Sequence, residues 1–256
     1  MFHERQVNIK TAAELKIMRD AGRINASVLA AVKEHLQPGV TTADLNAAAE
    51  EVLKSQGCVS PFKGYGRPPF PASITVSIND EMVHGIPSMK RKLKEGDIVS
   101  IDCGTIYKGY VADSAFTAGV GEISQEANKL LDVTERALYA GIDKMRKGKR
   151  TGDVSAAIQK YVESHGFHVT REYTGHGVGK DMHEGPQVPN IGAAGTGMLL
   201  RPGMTIALEP MVLIGTYETR VLPDQWTVVS ADGSLTAHFE HTVAVTEGEP
   251  QILTVL

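Results

Sequence analysis

The two halves of this chain repeat each other. A shift of 109 positions lays residues 29–57 over 138–166 without a gap. Leu29, Gly39, Thr42, Asp44, Ala47, Ala48, Ser55 and Gly57 then fall on Leu138, Gly148, Thr151, Asp153, Ala156, Ala157, Ser164 and Gly166. Further on, His84-Gly85-Ile86-Pro87 is echoed by His183-Glu184-Gly185-Pro186. The run Leu93 to Asp102 is echoed by Leu200 to Glu209, which sets Asp102 on Glu209. Val111 to Ser114 is echoed within Ala237 to Thr242, which sets Asp113 on Glu240. A duplicated unit of this length folds as two similar halves packed about a pseudo-twofold axis. The expected architecture is therefore α+β: halves of about 11–121 and 122–256, each with two helices on an antiparallel sheet, the sheets meeting at the centre. No linker-like composition separates them, so residues 1–256 are expected to form one domain.

Local signals fill in each half. Thr11 and Glu14 make a capping pattern, and Leu15, Met18, Ile24, Val28 and Leu29 keep helical spacing, so a helix is expected over 11–36, stopped by Pro38-Gly39. Thr42 opens a second, over 44–55, ended by Gly57. Residues 124–147 and 152–164 read as their counterparts, the latter ended by Gly166. A Pro/Gly-rich loop over 61–71 precedes a strand-like run over 73–78.

Chemistry concentrates in the stretch Asp97 to Thr117. Ile98, Ser100 and Asp102 alternate with Val99, Ile101 and Cys103, a strand period, and Gly109 suits a turn. A hairpin about that turn is expected to bring Asp102 and Asp113 nearly opposite each other, with Cys103 turned away from Asp102. Facing side chains sit about 5 Å apart at Cβ, where like charges destabilise. A cation between them removes the conflict. The repeat adds Glu209 and Glu240, and four converging carboxylates in a partly buried site need compensation. Two divalent ions, held about 3.5–4 Å apart in sites of this kind, supply it. His176, set between Gly175 and Gly177, offers a nitrogen ligand where the backbone can approach closely. Mostly oxygen ligands with one imidazole suit Mn, Fe(II) or Co, with Zn or Ni as weaker candidates. Alternation puts His238 on the Glu240 face and His241 on the other face, where a structural role is expected. His3, His35, His165 and His168 lie in no motif.

The remaining composition excludes other classes. The net charge of -4 gives no global signal for DNA binding. Two cysteines are too few for a disulfide scaffold and fit a reducing cytoplasm. No run of 18 apolar residues suggests a membrane span, and residues 1–10 lack the apolar core of a secretion signal.

The five ligand candidates Asp102, Asp113, His176, Glu209 and Glu240 occur with V-H-G-I-P at 83–87, T-G-H-G-V-G at 174–179, M-H-E-G-P at 182–186 and F-E-H-T-V at 239–243. This ordered set resembles the type I methionine aminopeptidases, over nearly the whole chain and in their minimal bacterial form. The resemblance implies the duplicated pita-bread fold. It implies metal-dependent removal of the initiator methionine from nascent chains, best before a small second residue, by a cytoplasmic monomer. It gives Asp102 to one metal, Asp113 and Glu240 to a bridge between the two, and His176 and Glu209 to the other. Glu209 also shuttles a proton, and His84 and His183 contact substrate, one near the scissile nitrogen and one on the carbonyl oxygen. Cys58, Tyr65, Phe70, Thr75, Met182 and Trp226 are the expected pocket residues, Trp226 brought to the level of Glu240 by a hairpin about Asp232-Gly233. Relatives often carry Phe where Met182 stands and Cys near Thr75. The basic runs Lys90 to Lys94 and Lys144 to Arg150 admit a transient ribosome contact or plain charge complementarity at a helix end. A proline-directed peptidase of the same fold shares the ligand pattern and is the alternative enzyme; a catalytically dead binding module is the alternative outside enzymes.

Overall fold

Thr11 opens the first helix by closing a capping box: the Glu14 amide donates to its hydroxyl oxygen, and the Thr11 amide donates to the Glu14 carboxylate. The computed structural model describes residues 6–256; Met1 to Arg5, His3 among them, lie outside the described residues. In chain order the elements are α1 (Ala12–Glu34), α2 (Thr42–Ser55), β1 (Ile74–Ile78), β2 (Glu81–Val83), β3 (Ile98–Tyr107), β4 (Tyr110–Gly119), α3 (Gln125–Ile142), α4 (Thr151–Ser164), β5 (His168–Val169), β6 (Thr174–Gly177) and β7 (Glu184–Pro189). There follow β8 (Thr205–Leu208), β9 (Met211–Leu213), β10 (Thr219–Val221), β11 (Val228–Ser230), β12 (Thr236–His238), β13 (Glu240–Ala244) and β14 (Gln251–Ile252).

The main sheet runs β1-β3-β4-β13-β8-β6-β7, with β14 beside β13. The repeat is visible in that order. From the β4–β13 seam outward, β4, β3 and β1 of the first half meet β13, β8 and β6 of the second. Each half has its own apolar cluster. Val28, Val32, Leu45 and Leu53 of α1 and α2 pack on Ile74, Val76, Val99 and Ile101. Leu130, Val133, Leu138 and Ile158 of α3 and α4 pack on Ile206, Leu208 and Val243. Phe116 at the seam packs against both clusters. Side chains such as Ile74, Ile101 and Leu130 are fully buried, worth about 1.5–3 kcal/mol each relative to exposure.

Several expectations shift in detail. The cap of α2 is Thr41, whose hydroxyl accepts from the Asp44 amide, rather than Thr42. Helix α3 stops at Ile142 instead of reaching Lys147, because residues 143–149 turn back so that the Leu200 amide can donate to the Lys149 carbonyl. The hairpin about Asp232-Gly233 does not join β11 to β12. Asp232 instead accepts from the Ser230 hydroxyl and the Ser234 amide, a local turn that redirects the chain. Strand β11 pairs with β10 and β2, and β12 with β9. Trp226 therefore reaches the cavity it shares with Glu240 from the loop between β10 and β11, beside His84, and not through that hairpin.

Candidate active site

The β3–β4 hairpin turns on Lys108 and Gly109, both with positive φ (48° and 79°), which matches a two-residue turn with the twist of the flanking strands. That turn sets the register. Asp102 pairs with Ala115, and Asp113 with Gly104. The two aspartates are thus diagonal neighbours on one face, offset by two residue pairs from the direct opposition expected from the sequence. Cys103 points the other way, into the first-half core, as expected. Glu240 opens β13 opposite Ala115, and His241 pairs with Leu208, just before Glu209. His176 on β6 pairs with Ala207. Its flanking glycines are required: a Cβ on Gly175 would stand 2.7 Å from the Ala207 carbonyl oxygen, and one on Gly177 only 2.0 Å from that of Gly185.

These strands bring all five ligand candidates to one cavity of ≈ 130 Å³. Asp113, His176 and Glu240 each offer a donor atom, all within 4.8 Å of one another. His176 Nε2 stands 3.5 Å from Glu209 Oε1 and 3.8 Å from Asp113 Oδ2. Asp102 Oδ1, Asp113 Oδ1 and Glu240 Oε1 are buried without a hydrogen-bond partner. Burial, reinforced by the neighbouring carboxylates, pushes Asp113, Glu209 and Glu240 well above the usual carboxylate range. Burial raises Asp102 to about 7, although a hydrogen bond with Asp113 opposes the shift. Without a cation, the cluster must hold protons to tolerate its own charge. The orphaned oxygens and the converging N/O donor set fit divalent ions, which replace those protons.

The walls are apolar. Phe62, Tyr65, Phe70, Met182 and Trp226 line the cavity with Thr75, His84 and His183. His84 stands edge-on to Trp226 (6.1 Å between centroids) and Tyr173 (6.0 Å). Burial pulls its pKa to about 4, so it is neutral at pH 7. Tyr65 Oη lies 2.8 Å from His183 Nδ1, and the His183 ring is 4.3 Å from that of His176.

One expected pocket residue is placed elsewhere. Cys58 does not line this cavity; it follows α2 and packs into the first-half core with Leu53 and Cys103. Phe62 takes up wall area that sequence reasoning did not assign; it sits in the Pro/Gly-rich loop, whose irregularity carries no period to mark a face. His238 also enters the site from behind, with Nε2 3.8 Å from Glu240 Oε2 and 3.9 Å from Glu209 Oε2. Alternation had already put it on the Glu240 face. His241 bonds Thr254 Oγ1 (2.8 Å) on the opposite side, a structural contact. His35 and His165 bond helix carbonyls, and His168 rests near Tyr217.

The sequence profile of metallopeptidase family M24 matches residues 16–247. A methionine aminopeptidase of Clostridium acetobutylicum is 51% identical over 247 residues, covering 96% of this chain and 98% of its own. The crystal structure of a methionine aminopeptidase from Thermotoga maritima superposes with a TM-score of 0.96 at 44% identity, over 98% of this chain and 100% of that one. A prolidase from Pyrococcus furiosus, 21% identical, has a TM-score of 0.78 over 97% of this chain but only 65% of its own length, and shares the fold alone. The fold is the duplicated pita-bread fold, and the chain belongs to metallopeptidase family M24, among the methionine aminopeptidases.

Proposed function

We propose that this chain removes the N-terminal methionine of peptides and nascent proteins, with a small residue following it, using two divalent ions of the Mn, Fe(II) or Co type. The observation that carries this reading is a small apolar-walled cavity floored by orphaned carboxylate oxygens. An unbranched thioether fits such walls, and its scissile carbonyl then faces the acids. Asp102, Asp113, His176, Glu209 and Glu240 are the residues that would hold these ions. Divalent ions supply there a nucleophilic water at neutral pH and polarisation of the carbonyl.

The rest falls to side chains. Glu209 takes a proton from the attacking water and gives it to the leaving amine, a general base and then acid. With Tyr65 as the donor to His183 Nδ1, Nε2 of that ring carries the N–H and would serve the oxygen that gains charge. His84, neutral at working pH, serves the scissile nitrogen. Both halves act as one catalytic domain, since the eight-stranded sheet is continuous across the seam. The reaction is placed in the cytoplasm, where initiator methionine is first exposed. In the two basic runs Lys144 pairs with Asp143, Arg146 with Asp143 and Glu249, Lys147 with Glu247, and Arg91 with Glu81, so a transient ribosome contact would draw on the other basic residues of those runs.

Turnover of Met-Ala-Ser against Ala-Pro peptides, after chelation and reloading with Mn or Co, tests the assignment. Metal-restored cleavage of Met-Ala-Ser alone is expected. Preferential cleavage of Ala-Pro overturns it in favour of a proline-directed peptidase.

A further inference from the structure

His238 is 2% exposed, and its Nε2 is buried without a hydrogen-bond partner. It does not line the substrate cavity. Its backbone is fastened instead: the His238 amide donates to Thr117 Oγ1 (2.9 Å), and the Thr117 hydroxyl donates to the His238 carbonyl (2.8 Å). Ser100 Oγ lies 2.8 Å from the same hydroxyl, which ties β3, β4 and β12 together behind the site. That frame aims Nε2 at two carboxylates at once, Glu240 Oε2 at 3.8 Å and Glu209 Oε2 at 3.9 Å. Both gaps are too long for a hydrogen bond, and closing either by about 0.9 Å makes one.

We infer that His238 is a positioning residue for the metal centre: its Nε2–H donates to Glu209 and Glu240 from behind and fixes the direction in which they present their remaining oxygens to cations. The inference rests on the metallopeptidase reading. Carboxylates that bind metals are themselves usually hydrogen-bonded, and loss of such a partner typically lowers metal affinity about 10–100-fold. A single donor between one acid from the β8 end and one from β13 also couples the two carboxylate ligands of the second half.

Calorimetric titration of the chelated protein with Mn separates the outcomes. His238→Gln keeps an N–H at the position of Nε2 and is expected to hold Mn within about threefold of the wild type. His238→Leu and His238→Asn, which place no donor there, are expected to weaken Mn about 10–100-fold. Their metal-free melting temperatures, read in the same samples, should stay near that of the wild type and so show that the fold is intact. Wild-type affinity in His238→Leu overturns the inference. So does equal loss in Leu, Asn and Gln variants together with loss of an imidazole signal from the Mn-loaded spectrum, because His238 would then be a direct ligand. If the wild type itself takes up no Mn, the metal reading fails and not the role of His238 alone.

Discussion

His84 carries a conflict within one residue. Its φ of 61° lies in the left-handed region, which costs an L side chain about 1–2 kcal/mol. The neighbouring Gly85 leaves no room to relax, since a Cβ there would stand 2.2 Å from the Val76 carbonyl oxygen. The backbone is thus bent to swing an imidazole into the cavity, and strain of this kind collects at functional sites. Replacing His84 by Gly or Ala should abolish turnover in both cases. The Gly variant should nevertheless be more stable than the Ala variant by about 1 kcal/mol in urea unfolding, because only Gly adopts this φ freely. Equal stabilities would show that the position is unstrained. The chemistry of this residue was legible in V-H-G-I-P, and its φ was not. The same limit applied to Asp102 and Asp113. Their face was legible from the period of two, but their offset depended on a turn with positive φ at Lys108, a residue type that does not announce it.

At the scale of elements, the helices were the clearest. Thr11 and Ser124 cap α1 and α3 as their side chains suggest. The strap before α1 was invisible. Val7 pairs with Gly185, the Lys10 amide donates to the Gly203 carbonyl, and Lys10 Nζ meets Glu184 Oε2 at 2.5 Å with both side chains almost fully buried. Glu184 also accepts from the Lys180 amide (2.8 Å). This pair therefore locks the strand start that follows His183 to the loop that precedes Met182. Its members stand 174 positions apart, and no local pattern links them. Lys10→Met should leave a buried carboxylate unpaired and cost about 3–5 kcal/mol. Adding Glu184→Gln to it should recover a large part of that loss, because the uncompensated charge is gone. Denaturant unfolding of the two variants measures both steps; a loss under about 1 kcal/mol in Lys10→Met would mean that the pair is not the lock.

The duplication is the property of the whole molecule, and it was the most legible of all. Helices α2 and α4 keep the same offset that the sequence shows, and the sheet order mirrors itself about the β4–β13 seam. What the repeat could not give was the electrostatic state of the centre it builds, which depends on burial in three dimensions. That state predicts an unusual pH response. The four carboxylates titrate higher folded than unfolded, Asp102 at about 7 against 3.8, so the folded chain retains protons that the unfolded chain has released. Stability from this source is complete below the unfolded values and is lost as pH rises, by about 1.4 kcal/mol per pH unit for each proton so retained. Burial has the opposite effect on His84, His238 and His241, held at about 4, 3 and 4, whose contribution grows as pH rises toward 6.5 and is constant above it. Between pH 6.5 and 8, only the carboxylates act. Chelated protein should therefore melt lower at pH 8 than at pH 6.5. Saturating Mn should raise the melting temperature at both values and by more at pH 8, because the ion competes with fewer protons and stabilises the fold by mass action. Asp113→Asn removes one of the coupled acids, so it should flatten the chelated profile and shrink the gain from Mn. A chelated protein whose melting temperature is constant from pH 6.5 to 8 and indifferent to Mn would mean that the cluster is not a cation site. The two halves would then meet around an acid cluster for some purpose other than metal catalysis.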